Sequence, residues 1–194
     1  MSAQQEPVHP RLAAIQAAFD KESDRAAAIV AGAMLDDALA SLLSAAMLPA
    51  LKPARSLTIG DRAPLGTFSA RIDAAHQLGL ISQPFAADLH VIRSIRNDFA
   101  HNPIDLTFAV DSIRDRIGHL DRSGFNRRFA HIRVNLGPPG PRGDFLSICS
   151  WMLFSLYEQA AKTQKPPVLL PEFGYFDLES AAEYMADLEP QDGF

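Results

Sequence analysis

The chain has 194 residues, 47% apolar and 21% charged, which suffices for one domain with a sizeable core and excludes wholesale disorder. Its net charge of −5 argues against a general affinity for nucleic acid. A single cysteine, Cys149, excludes an intrachain disulfide framework and a cysteine-rich zinc site, and it fits a reducing, cytoplasmic setting.

Residues 1–8 read as a loose N-terminus, residues 9–164 as one helical domain, and residues 165–194 as a proline- and acid-rich extension. The N-terminus is polar and carries Pro7 and Pro10, so it lacks the apolar centre of a secretory signal. Pro10 opens a first helix with Leu12, Ile15 and Phe19 along one side. Ser23 or Asp24 caps a second, apolar almost all round, which belongs at the centre of a bundle. Its length invites a membrane-spanning reading, but Asp36 and Asp37 sit at its middle. Each carboxylate would cost ~2.5–3.5 kcal/mol in lipid. A buried helix is therefore expected, ended by Pro49 and Pro53.

After a proline-punctuated connection, Thr67 or Ser69 caps a helix whose inner face holds Phe68, Ile72 and Ala75. Gly79 supplies its left-handed stop, with Leu80 placed for the apolar contact of a Schellman motif. Ser82 caps the next helix, its inner stripe Phe85, Leu89, Ile92 and Phe99, and Asn102-Pro103 closes it. A helix over roughly 108–120 carries Phe108, Ile113 and Ile117. The run GPPGPRG reads as loop, and Asp144 as the cap of a last strong helix through Cys149. A short isolated helix is predicted at 178–188. Strand signals are few, so the fold class is all-α, a single-domain multi-helix bundle.

The stretch RNDFAH, from Arg96 to His101, carries the most chemical information. At about 100° per residue Arg96 falls inside the apolar stripe, whereas His90, Asn97 and His101 share a polar face. Arg96 and His101 are about 140° apart around an ideal helix, a gap that a long arginine or a loosened last turn can close. Two readings of Arg96 follow. It either pairs with Asp36 or Asp37 of the central helix, or it reaches a cleft or an anion. The adjacent Asn97 and nearby His101 form a polar cluster that packing does not require, which favours the cleft.

Arginine, a polar neighbour and a histidine five positions on resemble the signature of the HEPN superfamily of helical domains. In active members two copies face each other across a dimer axis and cleave RNA without metal. That resemblance assigns Arg96, Asn97 and His101 to catalysis, with histidine exchanging a proton and arginine steadying the phosphate. A longer resemblance covers 25–102: GAMLDDALASLL, PLGTFSARIDAAHQLGLIS and DLHVIRSIRNDFAHN are similar to the mannitol operon repressor family. It implies transcriptional control. A DNA-reading module is missing from the sequence, since the polar face of the 83–101 helix offers mainly His90, Arg93 and Asn97. The leading expectation is a non-enzymatic homodimeric regulator acting on a protein partner, a transcription factor or transport component, through Arg71, Arg93, Arg96 and His101. The alternative is a metal-independent endoribonuclease.

Other chemistry is sparse. Asp36 and Asp37 point about 100° apart and do not converge as a two-carboxylate site; one is expected to meet Arg71 or Arg96. The six histidines (9, 76, 90, 101, 119, 131) show no metal-ligand spacing, and no phosphate-cradling glycine loop exists, so no cofactor or metal is expected. Six arginines (114, 116, 122, 127, 128, 133) with His119 and His131 form a basic segment suited to an anion, including the RNA of the alternative reading.

Overall fold

A computed structural model of the chain describes residues 14, 15, 17–19, 21–52, 56–60, 63–102, 106–120 and 140–166. Among these, five helices and no strand are present: α1 (Asp24–Ala46), α2 (Phe68–Gln77), α3 (Gln83–His101), α4 (Asp111–Gly118) and α5 (Pro141–Lys162). The all-α expectation holds. The predicted helix at 178–188, the N-terminal tail and most of the C-terminal extension lie outside the described residues.

α1 is the axis of the bundle and packs against α2, α3 and α5. Its all-round apolar character has that cause: Ala27, Ala28, Ala31, Leu35, Ala38, Leu39, Leu42 and Leu43 are all buried, on faces turned to different neighbours. α1 is long and apolar enough to cross a membrane, yet half of its most apolar window is buried inside the bundle. Ser23 is the N-cap, accepting from the Ala26 amide at 3.2 Å, and Asp24 is the first helical residue. Upstream, Ile15 and Phe19 join the same core.

Thr67 caps α2, and the Schellman stop forms as its geometry demands. Gly79 adopts φ +70°, its amide donates to the His76 carbonyl, and the Leu80 amide donates to the Ala75 carbonyl, each at 2.9 Å. This tight reversal leads directly into Ser82, the N-cap of α3. Leu89, Ile92 and Phe99 are buried as the spacing predicts, Phe85 only partly. The buried face also takes in Ala86, Ile95 and a carboxylate, Asp88, which the sequence pattern did not single out.

Two boundaries differ from expectation. α4 begins at Asp111, after Phe108 has turned inward between Phe99 and Phe145, with ring centroids 5.0 and 4.9 Å away. Asp144 is not the cap of α5. The helix starts three residues earlier at Pro141, whose fixed φ suits the first turn, behind Gly140 at φ +126°. The end of GPPGPRG is therefore helical, and Gly143 is buried within it. Arg142 accounts for the early start: it donates to Asp24 Oδ1 at 2.6 Å and to the carbonyls of Phe19 and Glu22 at 3.1 and 2.6 Å. That fastener joins the first turns of α1 and α5. Asp24 also accepts from the Phe108 amide at 3.0 Å, so one carboxylate organises three segments.

Candidate functional site

The informative end of α3 lies along α1, and a glycine sets how close the two helices come. An ideal Cβ on Gly32 would sit 2.7 Å from Arg96 Cγ and 3.1 Å from Arg96 Cβ, so the arginine stem occupies the space a side chain would take. Arg96 falls inside the apolar stripe because its methylenes are used as packing surface there. Its guanidinium goes elsewhere: Nη1 donates to Asn97 Oδ1 at 2.9 Å.

Neither central aspartate pairs with Arg96. Asp36 is taken by Arg71, whose Nη1 donates to Oδ1 at 2.6 Å, while Asp37 is exposed. The remaining donors of Arg71 are also committed, Nε to the Leu65 carbonyl at 2.9 Å and Nη2 to the Thr58 carbonyl at 3.0 Å. Arg71 thus staples α1, α2 and the segment before α2, with each of its three nitrogens engaged in the fold.

Of the seven arginines among the described residues, Arg71, Arg114, Arg116 and Arg142 each meet an aspartate. Arg25, Arg93 and Arg96 meet none among the described residues; Arg25 and Arg96 lie at the α1/α3 seam, and Arg93 precedes Arg96 by one turn of α3. Arg25 Nη2 reaches across from the first turn of α1 to the Ala100 carbonyl at 3.3 Å. Arg93 lies one turn before Arg96 and Asn97 on α3, and its Nε is buried with no acceptor. A buried donor without a partner is rare and costs about 1–3 kcal/mol, so it demands an explanation. His101 is exposed in the last turn, and no hydrogen bond joins it to Arg96 among the described residues. The structure thus brings Arg96 and Asn97 together, sets Arg93 beside them, and leaves His101 at the helix end.

The other candidates serve the fold. His90 Nε2 meets Asp73 Oδ1 at 3.1 Å across α2 and α3, and His76 Nδ1 lies 3.3 Å from the Ile81 carbonyl. In the basic segment, Arg114 pairs with Asp111 and Asp115, and Arg116 with Asp98 and Ser94. The remainder of that segment, 121–133, lies outside the described residues. No cluster of three potential metal-ligating side chains occurs among the described residues.

Sequence reasoning missed Arg25 and Gly32. Arg25 looks like an ordinary first-turn residue. Gly32 did leave a signal, since a glycine amid alanines and leucines in a helix marks a close approach more often than chance. Comparison with known family models, curated proteins and solved structures gives no match to this chain.

Proposed function

We propose that this chain is a non-enzymatic cytoplasmic regulator, homodimeric and acting on transcription through protein contacts, in the manner the mannitol operon repressor resemblance implies. The observation that carries the reading is that Arg25 and Arg96 at the α1/α3 seam, with Arg93 one turn before Arg96, meet no carboxylate among the described residues. Guanidinium groups with no carboxylate nearby keep donors to spare, and their planar forks suit carboxylates on a protein surface. The net charge of −5 disfavours DNA, whose many phosphates the rest of the surface would repel. Deletion in the native host should change transcript levels of a transport operon. A wild-type copy should restore them and Arg96→Ala should not, while purified protein protects no promoter DNA from cleavage. Tight operator binding by the purified protein alone contradicts the proposal.

A second reading, a metal-independent endoribonuclease using Arg96, Asn97 and His101, draws support from the exposure of His101 at the end of the helix that carries Arg96. An imidazole accessible to solvent is free to exchange protons with a bound hydroxyl. Induced expression in bacteria separates the two. Growth arrest relieved by His101→Ala favours the nuclease, and intact cellular RNA with normal growth favours the regulator.

A further inference from the structure

We infer that the α1/α3 seam is a docking site for an acidic segment of a protein partner, with Arg25 and Arg93 as specificity residues beside Arg96. The inference rests on the regulatory reading above and specifies the chemistry of the partner.

Three observations converge on it. The arginines form a row rather than a point. Arg93 and Arg96 are separated by ~4.5 Å of helix rise, and Arg25 enters from the opposite helix at the level of Ala100. Second, Arg93 is only part-buried as a residue and makes no ion pair among the described residues, and its Nε is buried without an acceptor, so its donor capacity is unfilled by the fold. Third, the chain shows how it treats arginines in similar surroundings. Arg71 and Arg142 each donate to an aspartate at 2.6 Å and to two backbone carbonyls. Arg25 and Arg96 make one hydrogen bond each, to the Ala100 carbonyl and to Asn97, and none of the three arginines meets a carboxylate among the described residues.

The setting favours a peptide over a nucleic acid. Ile29, one turn on from Arg25, and Ala100, whose carbonyl Arg25 reaches, are half-buried, and Ala33, next to Gly32 in α1, is exposed, so the same stretch of helix carries apolar residues as well as charge. An amphipathic acidic segment would use both features. A polyphosphate would use only the charges, and it would approach a molecule that is negative overall. Asn97 holds the Arg96 guanidinium in place before binding, which lowers the entropy lost when a fork-to-carboxylate pair forms.

The test is fluorescence anisotropy on the full chain with three labelled probes. They are an alanine-based helical peptide with glutamates spaced three and four residues apart, the same peptide with glutamines, and a short uridine oligonucleotide of equal charge. The glutamate peptide should bind and weaken with salt, and the glutamine peptide should not bind. Arg25→Gln and Arg93→Gln should each lower affinity by about threefold to tenfold. Arg114→Gln, at an arginine paired within α4, should leave it unchanged. Melting curves of each variant confirm that the fold persists. Equal binding of the glutamine peptide, tighter binding of the oligonucleotide, or indifference to both seam substitutions overturns the inference. If the acidic peptide fails to bind but Arg96→Ala still abolishes control in the native host, docking falls and the regulatory reading stands. If the peptide binds through the seam but deletion leaves transcription unaltered, the regulatory reading falls and docking stands.

Discussion

The side chain of Arg96 lies across Gly32: its Cβ and Cγ fill the place where a methyl group on the glycine would go, at 3.1 and 2.7 Å. One arginine is therefore both a packing element and, through the guanidinium held by Asn97, part of a polar seam.

Gly32→Ala should be destabilising despite the better helix propensity of alanine. Propensity favours the change by about 1 kcal/mol. The clash involves Arg96 Cβ, which moves only with the backbone of α3, and overpacking of this kind costs about 1–3 kcal/mol. Arg96→Ala removes the obstruction, so Gly32→Ala should become neutral or stabilising in that background. Chemical denaturation of the four members of this cycle should give a coupling of about 1 kcal/mol or more, and additivity would refute the contact.

Arg71 and Arg96 should behave oppositely on substitution. Arg71→Ala leaves Asp36 and two carbonyls without their donors and should cost about 3 kcal/mol. Arg96→Ala loses stem packing and one hydrogen bond to a neighbour, and should stay within about 1 kcal/mol of wild type. Thermal melts of both, with His101→Ala as a third, decide the matter. Collapse of the Arg96 variant would reassign that residue to the fold.

Arg142→Met should loosen the junction between α1 and α5 by about 2–3 kcal/mol, since it deprives Asp24 and the carbonyls of Phe19 and Glu22 together. Asp24→Asn should show a smaller loss, because an amide oxygen can still accept from Arg142 or from the Phe108 amide. Hydrogen exchange should show the first turns of both helices losing protection in Arg142→Met while the middle of α1 keeps it.

Cys149 is fully buried in α5, and burial pushes its thiol well above the ordinary value of 9.0. The native protein should therefore resist thiol reagents at pH 8 and react fully once unfolded. The contribution to stability is complete below the unfolded thiol value, and it is lost as pH rises beyond it, because only the unfolded chain then releases the proton. Rapid native-state labelling at pH 8 would contradict this burial.

Much of the architecture was legible in local chemistry. Ser82 caps the helix it was expected to cap, Ser23 and Thr67 are the caps among the two residues expected at each of the earlier helices, and Gly79 with Leu80 forms the expected reversal, because caps and turns depend on side chains a few residues apart. Periodicity located the buried faces of α2 and α3 for the same reason. The start of α5 was misplaced because Asp144 satisfies the local rule for a cap, while the actual start is fixed by Arg142 reaching segments more than a hundred residues earlier in the chain.

For the candidate site, the sequence by itself determined that Arg96 is anomalous: an arginine inside an apolar stripe, beside Asn97 and before His101. It left open which aspartate, if any, that arginine met. Only the tertiary structure decided that Arg71 takes Asp36, that Gly32 makes room for the Arg96 stem, that Arg25 reaches across to Ala100, and that Arg93 Nε is buried without an acceptor. The physical reason is range. Helix capping and periodicity act over a turn or two, whereas competition among arginines for one carboxylate depends on which helices pack side by side, and that is fixed by burial of the whole apolar core.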